Sequence, residues 1–378
     1  MQSFGRRMEA CGGVGPGFDF VRIALAFGVM AWHTVSVVNG DAAAGRSSDI
    51  WVAVYAILPM FFALSGFLVT GSALRLPLRE YILNRGFRIV PALAVDIGLS
   101  ALVLGPLFTT YALGDYFTDG RFFRYFFNII GRIQYVLPGV FENNPYEGVV
   151  NGSLWTVPWE IGCYVVMSLM VWFRLIRRAS VAAVLAFGWL AASVVYEALA
   201  PGTGNAFLDK LLKFVLLFQG SLLIPYFLLG SVFYLVRDRI PFDGRLMLLF
   251  IGGLTVASIV LDGNIWWKNP SFGLLTSIPC VYVVLYFGLM NLPKLPVFDR
   301  GDYSYGVYLY HFPILQAMQL LFGFNAWYIL LISAALPVTL MAMFSWHTIE
   351  KPLLRFRKKF SLVGQRIVAE EARQKPQP

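Results

Sequence analysis

Residues 18–38 read FDFVRIALAFGVMAWHTVSVV, an apolar run long enough to cross a bilayer that carries Arg22 and His33 inside it. An arginine at membrane depth costs at least ~2.5 kcal/mol on insertion scales, so a span that keeps one has a use for it. Ten residues stand between the two side chains. Eleven steps of about 100° end roughly 20° past three full turns, and a rise of ~1.5 Å per residue lifts His33 about 16 Å from Arg22. Both groups therefore share one helix face, which reads as a wall of a functional cavity part-way through the membrane.

The rest of the chain is built of similar material. It is 58% hydrophobic and 13% charged, with a mean hydropathy of +0.67, against about 25% charged residues in soluble domains. Ten apolar segments follow one another at 18–38, 50–74, 90–110, 156–173, 180–200, 214–236, 246–261, 272–291, 305–322 and 327–347. The expected fold is an all-α integral membrane protein of about ten transmembrane helices. A cytoplasmic segment 1–17 precedes a membrane domain 18–350, and a basic cytoplasmic tail 351–378 follows it. The first run is full-length, contains Arg22 and His33 and lacks a clear small-residue cleavage site, so it is not read as a signal peptide.

Alternating the loops puts 23 of the 30 Lys and Arg on the side that holds both termini. The positive-inside rule then makes both termini cytoplasmic and turns the long loop 111–155 outward. In that loop RFFRYFFNIIGRIQYVLPG mixes aromatics and arginines too closely for a span and suits an interfacial or re-entrant segment. The formal charge of +9 reports topology, so no nucleic-acid partner is expected. Cys11, Cys163 and Cys280 are scattered, only three histidines are present, and no metal is expected from their spacing.

His33 lies toward the outer end of its helix, where a neutral imidazole suits a general base and a hydrogen-bonded bundle histidine is the plainer alternative. Glu160, in SLWTVPWEIGCYV, enters the fourth span from the same side at similar depth. A buried carboxylate near a histidine would orient the imidazole and stabilise its protonated form. Arg22 sits at the other end, where its fork suits a phosphate or where it snorkels to the interface. Arg85 and Arg88 in NRGFRIVP share a helical face near the same mouth, and Pro91 opens or kinks the third span. His311, in YSYGVYLYHFPI, either touches a ligand or caps the turn released by Pro313. Ser65 and Gly66 read as helix packing, and His347 and Glu350 as structural. Trp155, Trp159, Tyr135 and Tyr146 offer flat surfaces to a sugar or belong to an interfacial belt.

Taken in order, FDFVRIALAFGVMAWH, FFALSGFLV, NRGFRIVPAL, SLWTVPWE, YSYGVYLYHFPI and IEKPLL resemble the membrane acyltransferase-3 family, and they cover residues 18–355. The hallmark carried over is the basic residue, ten intervening positions and histidine formed by Arg22 and His33. The resemblance implies a ten-helix enzyme of the bacterial inner membrane. It would move an acyl group, acetyl or succinyl, from cytoplasmic acyl-CoA as co-substrate to a hydroxyl of an extracytoplasmic polysaccharide or its lipid-linked precursor.

The residues fit this chemistry, with His33 and Glu160 as catalytic residues and Arg22, Arg85, Arg88 and His311 around acyl-CoA. Trp155, Trp159 and Tyr135 would receive the acceptor. No permanently bound cofactor is expected, and a homo-oligomer is left open. The chain ends about thirty residues past the last span, so the appended hydrolase-like domain of many relatives is not expected. For a succinyl donor, Arg121, Arg124 or Arg132 would supply an extra cation from the outer loop. The rival reading is a transporter or flippase for a lipid-linked sugar or acyl donor, which composition alone allows equally; the ordered motifs favour the enzyme.

Overall fold

In lipid a segment must close its own backbone hydrogen bonds, and a helix does so without a neighbour. The computed structural model describes residues 2–41, 56–199, 202–260, 270–293 and 301–360; among them are helices and three isolated bridges but no strand.

Ser3 caps a short α1 (Phe4–Ala10), whose first amides donate to Arg237 and Ile240 carbonyls. The following helices are α2 (Phe18–Asn39), α3 (Ile57–Arg75) and α4 (Leu78–Leu99), the last continued through a π turn to Phe108. The long loop after α4 holds α5 (Leu113–Thr118) and α6 (Gly120–Tyr125). A 3-10 turn, Gly152–Thr156, leads into α7 (Val157–Trp172), and α8 (Ala179–Leu199) follows. Then come α9 (Ala206–Leu216), α10 (Leu223–Leu235), α11 (Gly244–Val260) and α12 (Pro270–Leu289). The chain closes with α13 (Ser304–Phe322), α14 (Trp327–Ser345), a π turn Trp346–Glu350 and α15 (Lys351–Phe360).

Helix occupies each of the ten expected apolar segments, and among the described residues seven helices are long and apolar enough to cross a membrane. α10 and α11 are apolar but shorter, and α13 is diluted by His311, Gln316 and Gln319. Two boundaries differ from the sequence expectation. The third helix starts at Leu78 rather than at residue 90, with Pro91 inside it. A proline deletes one ladder bond but need not end a helix that neighbours support, and Arg85 and Arg88 thereby ride on the spanning helix itself. The sixth segment breaks at 217–222. The helix before the break, α9, begins ahead of the segment and is amphipathic with no buried residue, Phe207 and Leu211 exposed beside Lys210 and Lys213. Positions 50–55 of the second segment and 361–378 of the tail lie outside the described residues.

α2 packs between α13, α14, α12 and α3. α3 and α10 approach most closely where Gly66 and Gly230 face each other's backbone: a Cβ on Gly66 would strike the Phe227 carbonyl, and one on Gly230 the Ala63 carbonyl. The expectation that the Ser65-Gly66 pair serves helix packing holds for Gly66.

Candidate active site

The α2–α13 seam carries a polar cluster at each end. At one end Asp302, two residues before α13, accepts from two guanidiniums through one oxygen: Arg22 at 3.0 Å and Arg88 at 2.8 Å. Arg88 reaches Glu350 with its other terminal nitrogen at 3.1 Å, so one fork joins α4 to both the α13 entry and the π turn after α14. The other Asp302 oxygen accepts from Ser304 Oγ at 2.6 Å. Burial pushes the Asp302 carboxyl up, but the Arg88 and Arg22 guanidiniums outweigh it and hold the group well below the usual carboxylate range. His347 meets the Tyr303 hydroxyl at 3.0 Å, and Glu350 is 1% exposed, so both are structural partners as the sequence suggested.

About 16 Å along the same helix by its rise, His33 Nδ1 lies 2.6 Å from His311 Nε2. The direction of that hydrogen bond follows from its neighbour. His311 Nδ1 is 2.9 Å from the Val307 carbonyl, which only accepts, so Nδ1 carries the proton and a neutral His311 presents a bare Nε2. His33 Nδ1 then donates, which leaves His33 Nε2 bare. His311 is fully buried while His33 is partly accessible, and the edge of Phe312 packs on the His33 ring. The chain of donors therefore ends in one basic nitrogen on the accessible imidazole.

A cavity of about 250 Å³ adjoins the arginine cluster, and neither His33 nor His311 is among its lining residues. Its polar wall is Arg22, Arg85, Arg88 and Glu160; its apolar wall comes from α3 and includes Phe61 and Leu68. Arg85 Nε is buried with no hydrogen-bond partner among the described residues, and its guanidinium stands over the Tyr164 ring at 5.7 Å. A buried unpartnered donor in a cavity wall calls for an acceptor. Tyr308 and Phe61 bound the cavity, 6.2 Å apart, and Tyr308 is edge-on to His311 at 6.1 Å.

Sequence reasoning paired His33 with Glu160, and the structure pairs them differently. His33 bonds His311, whereas Glu160 accepts from Tyr164 Oη at 2.6 Å on its own helix and faces the cavity beside the arginines. His311 likewise sits against His33 rather than in the arginine-lined cavity, and it does not take the carbonyl released by Pro313. That carbonyl, Leu309, is taken by Asn151 at 2.9 Å. Arg22, Arg85 and Arg88 do converge on one cavity. Trp159 is packed against Phe214 and Phe218 at 5.2 and 5.3 Å, which ties α7 to α9. Tyr135 is 39% exposed in the outer loop, and Trp155 is partly buried. Arg121 is held by Asp119 at 2.7 Å and by Tyr111, and Arg132 lies over Phe127.

Sequence reasoning missed Asp302, Asp96 and Asn151. Asp96 had a usable signal, a carboxylate inside an apolar span. Asp302 two residues before a helix reads as an ordinary cap, and Asn151 stands in an Asn-Gly-Ser stretch that gives no sign of its buried partners.

The comparisons agree with this architecture. The acyltransferase-3 family, described as an acyltransferase domain, matches residues 16–346. The chain is similar to Nodulation protein 10 of Rhizobium leguminosarum bv. viciae, 28% identical over 93% of this chain and 95% of that one. It is also similar to an O-acetyl transferase of Shigella phage Sf6, 25% identical over 91% of this chain and 98% of that one. No solved structure matches the chain. A seven-span-or-more helical membrane protein with this match is an acyltransferase, and the chain belongs to the acyltransferase-3 family.

Proposed function

We propose that the chain is a membrane-bound O-acyltransferase that carries an acyl group from cytoplasmic acyl-CoA to a hydroxyl of an extracytoplasmic polysaccharide or its lipid-linked precursor. In this reading ten helices cross the bacterial inner membrane and both termini are cytoplasmic. The observation that carries it is the directed His311–His33 hydrogen bond, which leaves a basic nitrogen on the accessible histidine at one end of a seam whose other end holds guanidiniums.

The donor's phosphates suit Arg22, Arg85 and Arg88, which all line the cavity. The pantetheine arm would follow the apolar α3 wall past Glu160, whose carboxylate suits its amide N–H groups. Acetyl is the favoured acyl group. It needs no extra cation, Arg121 is already neutralised by Asp119, and one relative is named an O-acetyl transferase; succinyl is the alternative. Tyr135 and Trp155 would receive the acceptor sugar.

In the transfer His33 Nε2 takes the proton of the acceptor hydroxyl, and the oxygen attacks the thioester carbonyl. The C–O bond forms, the C–S bond breaks, and the thiolate leaves with the proton from His33 as free CoA thiol. His311 keeps its hydrogen bond to His33 and steadies the imidazolium in between.

The test uses purified protein in proteoliposomes, labelled acetyl-CoA, and surface glycan isolated from a strain lacking the protein. Label should pass to the glycan with the wild-type chain and not with His33→Ala. Equal transfer by His33→Ala at equal protein level would overturn the assignment. So would a deletion strain whose glycans lose no acyl mass.

A further inference from the structure

Asp96 is 1% exposed in the last turn of α4, and its Oδ2 accepts from Asn151 Nδ2 at 2.9 Å. The transfer described above does not use it. Asn151 is itself fully buried, and all its hydrogen-bonding capacity is spent. Its amide nitrogen donates to Asp96 and to the Leu309 carbonyl at 2.9 Å, while its oxygen accepts from the Ser153 amide at 3.0 Å and from Ser153 Oγ at 2.6 Å. The backbone N–H of Ser153 can only donate, which fixes the orientation of the amide.

The position of these bonds matters more than their number. Pro313 has no N–H, so the carbonyl four residues earlier, Leu309, loses its partner within α13. Asn151 supplies the missing donor one turn from His311. The same 3-10 turn grips α13 three times more: Tyr308 Oη donates to the Ser153 carbonyl at 2.9 Å and bonds the Thr156 hydroxyl, and Gly152 lies against the Phe312 ring so closely that a Cβ would collide with it. Phe312 in turn packs edge-on against His33 at 5.0 Å. Leu309, Tyr308 and Phe312 surround His311 on its helix, and all three are set by residues 151–156.

We propose that Asp96 and Asn151 are positioning residues of the acyl transfer. They form a buried carboxyl–amide clamp that holds the proline-opened turn of α13 so that His311 faces His33. The proposal rests on the histidine pair performing the reaction. Neither residue touches substrate. Asp96 holds the amide, the amide holds the Leu309 carbonyl, and His311 Nε2 is thereby kept within 2.6 Å of His33. A shift of about 1 Å in a supporting group costs about 10²-fold in rate.

The experiment measures kcat and donor KM in the proteoliposome assay for Asn151→Ala, Asp96→Ala and Asp96→Asn, with His33→Ala alongside. Asn151→Ala should lower kcat about 10²-fold while donor KM changes less than about twofold. Asp96→Ala should do the same, and Asp96→Asn, which keeps an oxygen for Asn151, should recover most of that loss.

Should Asn151→Ala fail to fold, the double variant with Pro313→Ala decides. The alanine N–H gives Leu309 its own partner and closes the turn, so the double variant should fold and turn over close to Pro313→Ala alone. A double variant that stays about 10²-fold below Pro313→Ala would overturn the clamp, because Asn151 would then act through something other than the Leu309 carbonyl. Asp96→Asn as poor as Asp96→Ala would overturn it as well. If His33→Ala kept its turnover, the histidine reading itself would fall; an inactive His33→Ala beside a fully active Asn151→Ala would sink the clamp alone.

Discussion

The Arg22 end of the α2–α13 seam gathers two guanidiniums and three carboxylates, Asp302, Glu350 and the exposed Asp19 at 3.9 Å from Arg22, whereas the His33 end holds two imidazoles with no ion pair between them. At the first end the problem is charge. Each guanidinium taken from water needs a carboxylate, and Asp302 serves two of them with one oxygen. At the second end the problem is direction, because two imidazoles make a useful base only if one proton is pinned, and the Val307 carbonyl pins it. Removing a group from the first end should leave a stranded charge and cost stability. Removing one from the second should cost turnover.

The sharpest way to break that contrast is at the histidines. His33→Ala is expected to lower acyl transfer about 10²–10⁴-fold, the usual worth of a general base, with an unfolding midpoint close to wild type because no charge is orphaned. Turnover and thermal unfolding in detergent measured on the same preparation check both halves. A chain that kept its rate but melted early would reverse the roles assigned to the two ends.

Arg88→Ala attacks the other end and should behave oppositely. It leaves Asp302 with Arg22 alone and Glu350, 1% exposed, without its guanidinium. Breaking a buried pair from one side costs about 3–5 kcal/mol, so unfolding should move down strongly. Arg88→Lys keeps the charge but cannot span both carboxylates, and should fall between.

How much of this contrast was legible follows from what each residue announces. Arg22 and His33 declared themselves because a polar group in an apolar run is costly wherever the helix packs, and their common face needed only the helical period. His311 was visible as a histidine in a span, but its partner was not, because which helix lies beside α2 is a property of the whole bundle. Glu160 was misread for that reason: matching depth on two spans does not bring two helices together, and its hydrogen bond went to Tyr164, four residues on. The third helix began twelve residues early because a lone proline was given more weight than the neighbours that support the turn around it. Asp302 left no trace, since its work lies with residues 214 and 280 positions away.

The pH dependence sharpens the ionic half of the contrast. The folded Asp302 carboxyl is held below its unfolded value, so its contribution to stability is complete above the unfolded range of ~4 and is lost as pH falls through the folded value. Asp302→Asn should flatten the acid limb of a stability–pH curve by lowering the neutral plateau, with the loss shrinking as pH falls through the acid range. If the donor's phosphates use the same guanidiniums, the variant should also lower donor KM several-fold, since Arg22 and Arg88 no longer have Asp302 to leave. An unchanged acid limb would mean that the pairing contributes nothing to folding.

The smallest expected effect separates two aromatic residues that look alike in sequence. The Trp159 ring is engaged by Phe214 and Phe218, so Trp159→Phe should leave the acceptor KM nearly unchanged and loosen α9 instead. Tyr135 is 39% exposed, with room for a sugar. An aromatic contact worth about 0.5–1.5 kcal/mol beyond area burial corresponds to about a 2–10-fold rise in acceptor KM for Tyr135→Ala. Glycan titrations with both variants would reveal the difference. A larger KM effect at Trp159 than at Tyr135 would move the acceptor from the outer loop to the α7–α9 junction, and α9, amphipathic and unburied, would then belong to the acceptor's path.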